Sequence, residues 1–164
     1  MAHNNHVVDG INKDIHPLYG DPKEYYLDLA KDWKDPYGIP VVDRIDNIRV
    51  VRDDYLVGSK CRGGDCLISS LPDRVDTIVY VQPRTGLAGV SLLDVANRYD
   101  LAVKLFMPSS KRISDHQACC IERGAKAEFH RIAAMPNLNK IAKDWADQHK
   151  NAYGRYCKDC ITDT

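Results

Sequence analysis

Lys60 lies in the segment RDDYLVGSKCRGG (52–64), lodged between a small hydroxyl residue, Ser59, and the glycine pair Gly63 and Gly64. A solvated lysine needs no such setting, whereas a primary amine that condenses with an aldehyde and, once displaced, is a base does. A second stretch with chemical potential follows at 82–89, QPRTGLAG, where glycines lead from an apolar run into a helical pattern. The N-terminus of a helix after such a loop is an anion site, because its free N–H groups and the helix dipole both favour negative charge. Each signal has a plainer alternative: a lysine in a solvated turn, and glycines that only let strand and helix pack closely. An amine followed by an anion loop, in that order, is more specific than either alone.

The elements that must position these residues are legible as alternating patterns. IRVVR (48–52) reads as a strand, and DTIVYVQ (76–82) as a second, mostly apolar and β-branched, as in a strand covered on both faces. Helical spacing over 87–99, 112–123 and 137–149 alternates with strands at 102–108 and 125–129. The 112–123 helix carries a Ser or Asp cap at its start and Gly124 after its end. The last helix places Leu138, Ile141, Ala142, Trp145 and His149 on one stripe. This succession predicts an α/β fold: a parallel sheet of βαβ units with helices on both faces. Ligands in such sheets bind at the carboxyl ends of the strands, which puts the 82–89 loop at the binding edge. Residues 1–44 read as a polar leader with one short helix near 22–33, residues 45–150 as the α/β domain, and 151–164 as a divergent tail.

The bulk properties narrow the function classes. Hydrophobic residues make up 44% of the 164 and charged residues 28%, the balance of a water-soluble globular domain. With 23 basic against 23 acidic residues the formal charge is zero, which argues against nucleic acid as a partner. No apolar run is long enough to cross a bilayer and the N-terminus lacks a signal-peptide core, so no membrane role and a cytoplasmic location are expected. The six cysteines are then thiols before they are disulfides. Only Cys157 and Cys160 have CxxC spacing; Cys61 with Cys66, and Cys119 with Cys120, do not complete a usual zinc set, so no metal site is expected. His3, His6 and His16 lie in the leader, and His116, His130 and His149 are spread over separate elements.

The segments VVRDDYLVGSKCRGG, DTIVYVQPRTGLAGVSLLDVANRYDLAVKLFMPSS and ACCIERGAKAEFH together resemble the N-terminal portion of the fold-type-II pyridoxal-phosphate enzymes. That family includes cysteine synthase, the tryptophan synthase β chain, threonine dehydratase, aminocyclopropanecarboxylate deaminase and D-cysteine desulfhydrase. RDDYLVGSKCR is closest to the deaminase and desulfhydrase branch, TGLAGVSL and LFMP to the cysteine synthase branch. The resemblance covers residues 45 to 150. It implies that Lys60 is the lysine that holds pyridoxal phosphate covalently and later moves protons at the substrate α-carbon. It implies a small amino acid as substrate, gripped at its carboxylate by Arg84, Thr85, Gly86 and Ala88, with Ser59, Leu87 and Gly89 lining the cofactor.

Where the chain departs from the family, the expectation changes. Leu87 stands where the family has an asparagine that contacts the cofactor ring, and Ala88 lacks the hydroxyl often found next. No glycine-rich phosphate loop and no partner for the pyridine nitrogen follow before residue 164, so the chain resembles half of such an enzyme. The expectation is therefore a lyase- or deaminase-like protein, incomplete or inactive as an isolated chain, with the cofactor weakly held or absent. A second chain or another copy would cover the open cleft. The alternative is a catalytically dead pseudoenzyme that keeps the fold as a binding or interaction module.

Overall fold

The computed structural model describes residues 22–154, so the leader up to residue 21 and the tail from residue 155, with Cys157 and Cys160, lie outside the described residues. After a short helix α1 (Pro22–Leu29) come β1 (Val42–Ile45) and β2 (Ile48–Val51), a single 3-10 turn (Asp53–Tyr55) and α2 (Cys61–Ser69). Then β3 (Thr77–Val81), α3 (Ala88–Arg98), β4 (Ala102–Pro108), α4 (Asp115–Glu122), β5 (Lys126–His130), α5 (Met135–Gln148) and β6 (Ala152–Gly154) complete the order. Four of these strands form one parallel sheet in the order β5-β4-β3-β6, with Thr77 opposite Ala102 on one side and Ala152 on the other.

The central strand shows why the sheet is buried on both faces. Ile78 belongs to one core, with Val103, Leu105 and Met107 from β4, Val90 and Leu93 from α3, and Cys120 from α4. Val79 and Val81 point the other way, into a second core with Phe106 and the α5 stripe Leu138, Ala142 and Ala146. Alternate residues feed opposite cores, so the strand beyond Thr77 is apolar or aromatic at every position. Helices cover both faces, as the sequence pattern predicts. The signals for α4 also hold: Ser114 accepts from the Gln117 N–H, Gln117 reaches back to the Ser114 N–H at 3.2 Å, and Gly124 follows the helix at φ +94°.

Three elements differ from the sequence reading or add to it. The 48–51 strand does not join the main sheet but pairs antiparallel with β1, Val42 opposite Val51, around a turn in which Asp46 takes φ +53°. Residues 152–154, within the stretch read as tail, form the edge strand beside β3. The largest addition is α2. Its sequence, CRGGDCLIS, has two glycines in its first turn and little helical propensity. It is helical because packing overrides propensity: Cys61, Asp65, Cys66 and Ile68 are buried along one side of it.

Candidate functional site

Lys60 is the N-cap residue of α2, exposed, with Ser59 exposed before it. The charges that precede it are engaged in fixing this segment. Asp53 pairs with Arg62 at 3.1 Å, and Arg62 also pairs with Asp35 and donates to the Gly38 carbonyl at 2.8 Å. Asp54 is held by Arg52 in a two-pronged pair, both contacts 2.8 Å, and Arg52 also reaches Asp43. The guanidinium holds the Asp54 carboxyl below the usual carboxylate range. Behind α2, the buried Asp65 accepts from Trp33 Nε1 at 2.9 Å and from the Tyr99 hydroxyl at 3.2 Å, with Arg98 at 3.6 Å. The lysine is thus carried on a short helix clamped at its start by Arg62 and at its middle by Asp65.

The second half of the site leaves the carboxyl end of β3. Arg84, Thr85, Gly86 and Leu87 are exposed, Ala88 is half-buried and Gly89 is buried. Gly86 takes φ +113°, a backbone conformation that side chains resist. Leu87 caps α3 without a side-chain bond to the helix, and half of its surface faces solvent. Gly89, expected to border the cofactor, is committed to the support of its own loop. Its N–H donates to Gln82 Oε1 at 2.9 Å, and a Cβ there would crowd the Gln82 amide and lie 3.1 Å from Cys120 Sγ.

Gly58 joins the two halves. A Cβ on it would fall inside the closest approach side chains make to the Ser91 hydroxyl, and 3.5 Å from the Leu87 Cβ. The segment two residues before Lys60 therefore presses on the first turn of α3, directly after the 84–87 loop. This contact puts the amine-bearing segment and the loop at the same end of β3.

Sequence reasoning did not single out Gln82 or Ser91, and it read Ser114 only as one of two candidate helix caps. Gln82 is fully buried at the end of β3, and its Nε2 donates to the carbonyls of Pro83 and Gly86, each at 3.0 Å. Ser114, the cap of α4, donates to the Arg84 carbonyl and so ties the loop after β4 to the loop after β3. Ser91 is buried and donates to the Leu87 carbonyl at 2.9 Å. The available signal was a single polar residue closing the apolar run DTIVYVQ. An open apolar depression of about 210 Å³ lies on the α5 side of the same strand end, but it takes in only Pro83 of this loop and neither Ser59 nor Lys60.

These residues fit pyridoxal phosphate at its reactive end and not along its length. An exposed amine beside a loop rich in N–H groups suits an aldehyde and a substrate carboxylate. The Leu87 side chain offers no hydrogen-bond donor to a ring, and the described residues contain no second glycine-rich loop for a phosphate. Among the described residues no group of three metal-ligating side chains is found, and Cys61, Cys66, Cys119 and Cys120 are free thiols. No described helix is long and apolar enough to cross a membrane.

No protein-family profile and no curated protein matches the chain. Among solved structures it is similar to a hydrogen sulfide-producing enzyme from Fusobacterium nucleatum, with a TM-score of 0.56 at 15% identity over 79% of this chain and 44% of that one. It is also similar to an ACC deaminase homologue, with a TM-score of 0.59 at 14% identity over 85% of this chain and 47% of that one. The chain spans less than half the length of either. At such identities the likeness establishes the fold.

Proposed function

We propose that this chain, which has the fold of part of a fold-type-II pyridoxal-phosphate enzyme, supplies the lysine-and-carboxylate half of a lyase or deaminase site for a small amino acid. The observation that carries the reading is the contact of Gly58 with Ser91 and Leu87, which sets the Lys60 segment beside the 84–87 loop. The activities named for the two structural neighbours, sulfide production and a deaminase homologue, support the same class. Pyridoxal phosphate, when bound, supplies an electron sink for breaking bonds at an amino acid's α-carbon.

The chain's own residues have the remaining tasks. The Lys60 amine holds the cofactor and, released from it, takes and returns the α-proton. Arg84, Thr85, Gly86 and Ala88 bind the substrate carboxylate with a cation, a hydroxyl and backbone N–H groups. Ser59 and Leu87 border the ring, and Gly89 supports the loop beneath it. The phosphate and the far side of the cleft fall to residues other than those described, for which a second chain or another copy is one source, so residues 22–154 by themselves should turn over little or no substrate.

The second reading, a binding module that has lost its chemistry, draws on Leu87. A leucine at that position forgoes a ring hydrogen bond worth on the order of 1 kcal/mol, several-fold in affinity. The two readings part in one assay: release of ammonia or sulfide from small amino acids by the chain with pyridoxal phosphate, alone and in its native complexes, for wild type and Lys60→Ala. Turnover in the complexes that Lys60→Ala abolishes supports the enzyme reading. Equal rates for wild type and variant, or a colourless complex with no turnover, sink it.

A further inference from the structure

The 82–87 loop turns its carbonyl groups toward the rest of the protein. Gln82 Nε2 bonds those of Pro83 and Gly86, each at 3.0 Å, and the Ser114 hydroxyl bonds that of Arg84. All described peptide bonds are trans, so the N–H of each unit points opposite to its carbonyl. The N–H groups of Arg84, Thr85 and Leu87 therefore point away from Gln82 and Ser114, and none of the three bonds to another described residue.

Gln82 is an expensive choice for the end of a buried strand. Residues 77–81 are Thr-Ile-Val-Tyr-Val, and burying an unpaired amide there would be destabilising. Here both ends of the amide are engaged within seven residues of chain: two N–H donors to Pro83 and Gly86, and the oxygen accepting from Gly89. An aliphatic residue would fill the space but could not turn two carbonyls inward.

From this we infer that Gln82 is the positioning residue of the carboxylate loop. By holding the carbonyls of Pro83 and Gly86 it aims the N–H groups of Arg84 and Leu87 outward, as Ser114 does for Thr85, and so sets the loop's selectivity for a carboxylate over a neutral group. The carboxylate part rests on the proposed function; the aiming of the N–H groups does not. A glutamate at this position makes the role visible. Its neutral carboxyl can still accept from Gly89 and donate to one carbonyl, whereas its ionised form faces two carbonyl oxygens with no proton to give. Burial raises the pH at which that ionisation occurs.

The test is a backbone amide spectrum of the full chain titrated with sodium acetate, for wild type, Gln82→Met and Gln82→Glu, at several pH values. Wild type should show acetate-dependent shifts at Arg84, Thr85 and Leu87. Gln82→Met should weaken acetate roughly tenfold, the effect of losing one or two oriented hydrogen bonds, and should speed exchange of the Gly89 amide. Gln82→Glu should bind acetate at low pH and lose it as pH rises, beyond any trend in wild type; a purely structural role gives no such dependence. Unchanged amide shifts and acetate affinity in Gln82→Met, or a Gln82→Glu pH profile matching wild type, overturn the inference. If acetate moves no wild-type resonance, the carboxylate reading fails, and the positioning role is then decided by whether the 84–89 amides shift in both variants.

Discussion

Gly58 shows how a single missing side chain can hold a site together. With no Cβ, its backbone lies against the buried Ser91 hydroxyl, which in turn bonds the Leu87 carbonyl at 2.9 Å. Gly58→Ala must push Ser91 out of that bond or move the segment, and overpacking of this kind costs about 1–3 kcal/mol. Ser91→Ala removes the atom that the new methyl would strike. Urea unfolding of the two single variants and the double should therefore show positive coupling, with the double variant more stable than the sum of the singles implies. Additivity would mean that Gly58 is not held by Ser91. On the face of the sheet that α5 covers, Lys104 lies 2.6 Å from Glu128 and holds its carboxyl below the ordinary range, with His130 also in reach at 2.8 Å. A depressed folded value means that the pair stabilises the protein above the unfolded carboxyl's pKa, about 4.3, and loses that contribution as pH falls through the lower folded value. The stability gap between wild type and Glu128→Gln should shrink on acidification from about pH 5 toward pH 3. A gap that widens over that window contradicts the pairing.

At the scale of elements, α2 is the part that sequence patterns concealed and the site needs most. A glycine pair in the first turn hides a helix from propensity, and only the tertiary setting of Cys61, Asp65 and Ile68 reveals it. Asp65→Ala should cost about 3 kcal/mol, since two hydrogen bonds to a buried carboxylate are lost and Trp33 Nε1 is left without this partner. Trp33 fluorescence in a denaturant titration reports both the loss and the loosening of this clamp. A change below about 0.5 kcal/mol, the range of neutral surface substitutions, would show that α2 is fixed by other contacts. By contrast β3, α3, β4, α4, β5 and α5 were legible, because a strand buried on both faces is apolar throughout and the helices carry a stripe or a cap. The residues proposed for the site could be named from residue type and order alone. Their support could not: Gln82, Ser91 and Ser114 act through bonds to backbone carbonyls of residues up to 30 positions away, which leave no periodic trace.

At the scale of the molecule, the β1–β2 hairpin stands apart from the main sheet and shows apolar side chains on both faces, Val42 and Val51 on one, Ile45 and Ile48 on the other. Ile45 and Ile48 are 60% and 65% exposed, and a two-stranded ribbon is marginally stable by itself in water. An apolar ribbon of this kind, exposed on both faces, gains stability from any surface that covers it. Burial also pushes the Cys120 thiol, packed beside Gly89, up to about 11, so it should stay unmodified by a thiol reagent near neutral pH for as long as the loop support is intact. Labelling of Cys120 at the rate of an unfolded control would show that the support opens freely.

We propose Lys60, among the lysines of the chain, as the amine that meets an aldehyde near the 84–87 loop. The most direct measurement is borohydride trapping of pyridoxal phosphate on the full chain and its native complexes, with the modified residue identified by peptide mass spectrometry. One dominant adduct is expected, on Lys60, absent from Lys60→Ala and diminished in Gly58→Ala as the segment is pushed away from α3. Adducts spread evenly over the surface lysines, with Lys60 no more labelled than Lys111 or Lys150, would contradict it.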